Sequence, residues 1–270
     1  MAEITDPLAK AHLEARELKN GASRLFYALD KMMAERELAP TPEYTAPTFD
    51  LANKHDHIEW GGRKWRANVA SAHFEGHDHA LRIAGSRARF EVRPDDTPME
   101  SKEWKRRAEL SGSIYGDATR LPNGVLLSGS FVTSHRAWPE GMDTTWGMVF
   151  GQIHMGSKVG GSPALAFRRH QTSDLRITTR GENDMEGSEV YRGPLSFDED
   201  HLFAYEVLLH ETDAVLRVWV DDQQVVDLSG VSIGHSAADS YWNVGIYASG
   251  GVTGPVVAEY DRHIYPGQDQ

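Results

Sequence analysis

The 270-residue chain contains no cysteine. Disulfide frameworks, thiolate zinc sites and cysteine nucleophiles are thereby excluded. No apolar run approaches the roughly 18 residues that a membrane-spanning helix needs, so no membrane partner is expected. The N-terminus, MAEITDPLAKAHLEARELKNG, is charged throughout and lacks the apolar stretch of a secretory signal. Action outside the cell would then require another route, such as release of a phage-borne protein by lysis. Positive charge is in deficit: 28 Lys and Arg stand against 40 Asp and Glu, a net charge of −12. That argues against nucleic acid as a partner, although a groove on an acidic protein can still be locally basic and hold an anion. No phosphate-binding loop or H-E-x-x-H pair occurs.

Two regions with different hydrophobic periods are present. Over residues 1–38, Leu8, Ala11, Ala15, Leu18, Ala22, Leu25, Leu29 and Met32 recur at alternating spacings of three and four, the seam of a heptad helix. Asp6-Pro7 suits its start and Ala39-Pro40 its end. The seam predicts either a helix through which copies of the chain associate, a homo-oligomer, or one docked on its own domain. APTPEYTAPTFD, residues 39–50, reads as a linker. From 51 to 270 the period becomes two. Segments such as WGMVFGQIH, ALAFRRH, FAYEVLLH and YWNVGIYA are short strands separated by turn residues, with PNG (122–124) and DDQ (221–223) read as hairpin turns. Closely spaced strands without a second helix predict an all-β antiparallel sandwich of jelly-roll type.

Strand parity singles out particular side chains, because successive residues face opposite sides of a sheet. In VFGQIHMGS, Gln152 and His154 share one face and Ile153 takes the other. In RRAELSG, Arg107 and Glu109 oppose Ala108 and Leu110. In YWNVGIYA, Tyr241, Asn243, Gly245 and Tyr247 oppose Trp242, Val244 and Ile246. ARFEVRP repeats the pattern, with Arg89, Glu91 and Arg93 against Phe90 and Val92. If these strands are neighbours, one face gathers Arg, Gln, His, Asn and Tyr, a composition that suits a binding groove.

These motifs carry a resemblance. RAEL (107–110), QIH (152–154) and YWNVGIY (241–247) are similar to three motifs of jelly-roll polysaccharide lyases. Alginate lyases of that fold carry an Arg-x-Glu-Leu-Arg strand, a Gln-Ile-His strand and a Tyr-Phe-Lys-Ala-Gly-Val-Tyr strand; heparin lyase I-like and glucuronan lyases are similar around the same strands. Order along the chain and parity both agree. Ser111 stands where the alginate motif has its second arginine and Asn243 where it has lysine, so the resemblance is better to the wider group of uronic-acid lyases.

The resemblance implies cleavage of an anionic, uronic-acid-containing polysaccharide by β-elimination, with no cofactor required. A proton leaves C5, beside a carboxylate, and the sugar oxygen at C4 is expelled. Donors must neutralise that carboxylate and stabilise the enolate-like state. The resemblance gives this role to Arg107 and Gln152 with His154 nearby, and makes Tyr247 the proton carrier, His154 sharing base duty according to stereochemistry. A free tyrosine titrates near 10, so a catalytic phenolate requires adjacent positive charge. Asn243 joins the set by parity. Arg89, Glu109, Lys158, Arg168 and His170 are expected to contact substrate, and Arg93, Lys105 and Arg106 are further cations for the polymer's carboxylates. Loops 134–145 and 155–163, through Arg136 and Lys158, are candidate lids.

Two other readings are open. A non-catalytic carbohydrate-binding jelly roll, as in an adhesin or phage tail fibre, would use the same face. A glycoside hydrolase would require two placed carboxylates, and no Glu-x-Asp-x-x-Glu strand supplies them. Histidines in KHDHIE (54–59) and HFEGHDH (73–79) lack a metal-ligand spacing, so no catalytic metal is expected. The acidic loop GENDMEGSE (181–189) is a candidate for a structural calcium ion only.

Overall fold

The computed structural model describes residues 43–47, 57–69, 78–96, 105–112, 120–138, 147–156, 159, 161–170, 174–184, 186–249 and 251–266. The chain divides into Met1–Glu43 and Tyr44–Gln270. The expected helix over 1–38 lies outside the described residues.

Among the described residues, alternating apolar and polar side chains produce fifteen strands. The first eight are β1 His57–Trp60, β2 Arg63–Val69, β3 Leu81–Ala84, β4 Arg87–Val92, β5 Lys105–Ser111, β6 Leu126–Ala137, β7 Met148–His154 and β8 Leu165–His170. The rest are β9 Asp174–Thr179, β10 Ser188–Pro194, β11 His201–Leu208, β12 His210–Val220, β13 Gln223–Ile233, β14 Tyr241–Ser249 and β15 Val256–Ile264. They form an eight-stranded sheet ordered β1-β2-β5-β14-β7-β8-β9-β10 and a seven-stranded sheet ordered β13-β12-β11-β6-β15-β4-β3. All described residues are in strands, turns or irregular segments, and none is helical. This is the expected antiparallel sandwich, each sheet burying one face against the other.

An aromatic cluster fills the space between the sheets. Phe131 stacks on Phe203 at 5.0 Å and Tyr205 on Trp242 at 5.2 Å, while Phe150 and Phe167 meet Phe203 edge-on. Trp242, Val244 and Ile246 are fully buried, as their parity required.

Two sequence expectations change. PNG does not close a hairpin: it precedes β6, with Gly124 N donating to Leu209 O. A turn-forming tripeptide identifies a reversal of the chain but not which strands it joins. DDQ does join β12 to β13, and Asp221 and Asp222 both adopt positive φ, as a two-residue hairpin turn demands. Within the proline-rich segment, Thr45 exchanges two backbone hydrogen bonds with Ile83 on β3, so the chain is tied to a sheet edge there.

Candidate active site

Three of the motif strands are neighbours. β14 runs between β5 and β7, pairing Gly245 with Glu109 and Tyr247 with Arg107 on one side, and Tyr241 with His154 and Asn243 with Gln152 on the other. Residues directly opposite one another share a face. Arg107, Glu109, Asn243, Tyr247, Gln152 and His154 thus project together from the outer face of the eight-stranded sheet.

Glu109 is the hub. It is 1% exposed. Its Oε1 accepts a 2.7 Å hydrogen bond from Gln152 Nε2, and its Oε2 lies 3.1 Å from Arg107 Nε. Burial raises its carboxyl above the usual range, with the Arg107 charge and the Gln152 amide pulling in the opposite direction. Sequence reading placed this carboxylate among the substrate contacts; its burial instead makes it the group that aims Arg107 and Gln152.

Arg107 carries its guanidinium carbon 5.0 Å from the centre of the Tyr247 ring. On the far side of β7, Val149 pairs with both Tyr247 and Arg168, and the Arg168 charge is felt at Tyr247. Two cations therefore flank the phenol. Burial brings the Arg168 guanidinium down to about 10, and its Nε donates to Thr178 Oγ1 at 3.0 Å.

His154 stacks on Tyr241, ring centres 5.2 Å apart. Burial, together with Arg107 and Arg66, brings its imidazole down to about 4. Its Nδ1 accepts the Gly156 N–H at 3.0 Å. A neutral ring with Nδ1 so occupied carries its proton on Nε2, making that nitrogen a donor. Asn243 is 4% exposed, and its Oδ1 is buried with no hydrogen-bond partner.

Backbone irregularity shapes this floor. In β7, Val149 and Gly151 oppose consecutive residues of β8, so Phe150 is an inserted residue whose ring enters the core. In β14, Gly245 adopts φ +125°. The Tyr260 hydroxyl, reaching across from the other sheet, lies 2.6 Å from Phe150 O and 3.0 Å from Gly245 O, meeting the carbonyls that the irregular pairing leaves available. Bulges of this kind re-aim side chains beside functional surfaces.

Other expected site residues divide. Arg168 and His170 lie on the same face as Tyr247, while Arg169 between them is fully buried and donates to Leu195 O and Ser196 O. Arg89 does not join the site. β4 belongs to the seven-stranded sheet, and Arg89 pairs with Glu91 at 2.6 Å and approaches Glu259 at 3.8 Å. Parity could show that Arg89 opposes the core but not which of two sheets held it. Arg93 likewise binds Glu91, and Arg106 donates to Pro94 O. Arg136 is held by Asp200 and Glu259, so it is not a lid residue. Lys158 lies outside the described residues, and the Lys105 side chain is likewise not described.

Arg66 on β2, and Arg176 and Arg192 on β9 and β10, are basic residues of this face that motif reading missed. Arg66 opposes Ser111, and Arg176 is directly opposite both Arg168 and Arg192. RITTR and VYRG showed the alternation but not the sheet order.

Two further polar constellations are present. Ser196 Oγ lies 2.9 Å from His201 Nε2, whose Nδ1 lies 2.6 Å from Asp221, as in a nucleophile relay. The serine hydroxyl is only 2.5 Å from Glu199 Oε2, and a carboxylate there opposes the negative charge that an oxyanion would develop. The relay ties the β10–β11 loop to the β12–β13 turn. Asp184 in the acidic loop accepts from Glu186 N and Gly187 N, and the described residues contain no cluster of three metal-ligating groups.

No protein-family model matches the chain, and no curated protein matches it in sequence. Its fold is shared with solved structures. An alginate lyase from polysaccharide lyase family 7 superposes with a TM-score of 0.53 at 13% identity, covering 74% of this chain and 92% of that one. The endo-β-1,4-glucuronan lyase of the fungus Trichoderma reesei gives 0.53 at 14% identity, over 84% of this chain and 95% of that one. A second family 7 alginate lyase, in complex with product, gives 0.50 at 14% identity, over 67% and 80%. The architecture is therefore the jelly roll found in these polysaccharide lyases.

Proposed function

We propose that the protein is a lyase that cleaves a uronic-acid-containing polysaccharide by β-elimination. The observation that carries this reading is the convergence of Arg107, Gln152, His154 and Tyr247 on one sheet face around the buried Glu109. The jelly roll shared with alginate and glucuronan lyases supports it.

The sugar carboxylate sits against Arg107, the Gln152 amide and Nε2–H of His154. Neutralising it makes the adjacent C5–H acidic enough to remove, and the same donors hold the charge that develops next to C5. Tyr247, as phenolate between Arg107 and Arg168, takes the C5 proton. The electron pair left on C5 forms the C4–C5 double bond as the C4–O4 bond breaks, and the Tyr247 hydroxyl returns its proton to O4. The phenolate is regenerated, so the cycle balances with protein groups alone and calls for no cofactor. His154 serves as a donor in this scheme, since its only other ring nitrogen is occupied by Gly156 N–H. Asn243, directly opposite Gln152 on the same face, lies beside this carboxylate site.

The test is ultraviolet absorbance of the new double bond on a panel of alginate, glucuronan, hyaluronan, heparin-type and capsular polysaccharides. A signal abolished in Tyr247→Phe and His154→Ala is expected. Full activity in Tyr247→Phe would overturn the mechanism. Binding across the panel without any elimination would instead favour a carbohydrate-binding module that uses the same face.

A further inference from the structure

Beyond Tyr247, the groove face continues across three more strands, and its chemistry is distinctive. The register places Arg107, Tyr247, Val149, Arg168, Arg176 and Arg192 directly opposite one another in sequence across β5, β14, β7, β8, β9 and β10. The last three members of this row are all arginines. Like charges directly opposite on neighbouring strands destabilise a sheet. Two carboxylates moderate them. Glu189 lies 3.1 Å from Arg176 Nε and 3.0 Å from Arg192 Nε, and Asp174 stands at the end of β9. Three guanidiniums against two carboxylates leave a local excess of positive charge on a chain whose net charge is −12.

We propose that Arg168, Arg176 and Arg192 form an anion ladder that binds successive acidic sugars on the β8–β10 side of the cleaved bond. This rests on the lyase reading of the adjacent site. Strands are about 4.8 Å apart, so a polymer crossing them at right angles meets a new guanidinium about once per pyranose ring. Glu189 holds Arg176 and Arg192 extended along the face in the free protein; a carboxylate arriving from the polymer shares those same donors, which are forked for bidentate contact. The row runs to the edge strand β10, so the bound chain extends about three sugars beyond the reacting one on this side. Long internal segments are then held better than short ends, as in endo-cleavage.

The experiment uses Tyr247→Phe as a non-cleaving background and measures binding of polyglucuronate and of alginate, each as a long chain and as a disaccharide, at low and high salt. Arg176→Gln and Arg192→Gln are introduced singly, with Arg217→Gln as an off-site control, since Arg217 pairs with Glu206 and Asp227 on the seven-stranded sheet. Each ladder variant is expected to weaken long-chain binding by roughly tenfold at low salt and to flatten its salt dependence. Disaccharide binding and Tm should hold, because relieving like-charge repulsion does not loosen the sheet. Unchanged long-chain affinity overturns the ladder, as does an equal loss for the disaccharide or a fall in Tm that accounts for the loss. Elimination by the wild-type chain with an unaltered KM in the ladder variants removes the ladder and leaves the lyase. A wild-type chain that neither binds nor cleaves any polymer removes both.

Discussion

Gln152 donates its amide to a carboxylate oxygen of Glu109 at 2.7 Å, tying β7 to β5 across the intervening β14. The bond is buried and leaves the other oxygen of Glu109 facing Arg107. One carboxylate thus orients both groups proposed to neutralise the sugar acid. Glu109→Gln removes the charge that holds Arg107 and offers Gln152 an amide that can rotate. We expect kcat to fall by about a hundredfold, with KM changed much less, in steady-state kinetics followed at the double bond. A KM-only effect would instead mean that Glu109 touches substrate.

Gly245 is required by geometry. At φ +125°, a Cβ would strike Ala108 O and come within 2.8 Å of Glu109 Cα. Both atoms are backbone and cannot swing aside. Gly245→Ala should cost about 3 kcal/mol by chemical denaturation and should also lower activity, because the strand it displaces carries Glu109. A stable variant with full activity would show that the close approach of β14 to β5 is not needed.

Tyr260 links the two sheets beneath the site. In Tyr260→Phe the carbonyls of Phe150 and Gly245 lose the hydroxyl that lies 2.6 and 3.0 Å away. Leaving buried acceptors unmet should cost about 1–3 kcal/mol. The measurement is the denaturant midpoint, with the slope m expected to stay constant.

Acid stability follows from buried imidazoles. Burial lowers His154 to about 4 and His263 to about 3, and it lowers His135 well below its ordinary value of 6.5. Unfolded, all three titrate near 6.5, so below that pH the unfolded chain binds more protons than the folded one. Stability is therefore complete above 6.5 and is lost as pH falls towards about 4 and then about 3. Glu109, with its raised carboxyl, works in the opposite sense at low pH. Tm measured between neutral pH and about 4.5 should fall steadily, and less steeply in His263→Gln than in the parent.

The same titration bears on activity. A neutral donor at His154 predicts a kcat/KM that is flat through 6.5, with no histidine limb there, since folded His154 titrates near 4. An acid limb near 6.5 that disappears in His154→Gln would restore His154 as the base.

The period-two alternation of Ala108/Leu110, Ile153 and Trp242/Val244/Ile246 was enough to assign an all-β sandwich and to put Arg107, Glu109, Gln152, His154, Asn243 and Tyr247 on the outward side of their strands. Alternation is a local property, set by the backbone of one strand, and it is readable residue by residue. Which strands lie side by side is not local. β4 carries the same pattern as β5, yet its Arg89 faces away on the other sheet, because sheet membership is decided by how the long chain closes over its core. The inserted Phe150 shows the same limit within one strand: only its pairing against β8 turns the ring inward and shifts Val149 onto the groove face. Alternation could name the groove's central residues, whereas the row of Arg168, Arg176 and Arg192 exists only once three strands are laid in register.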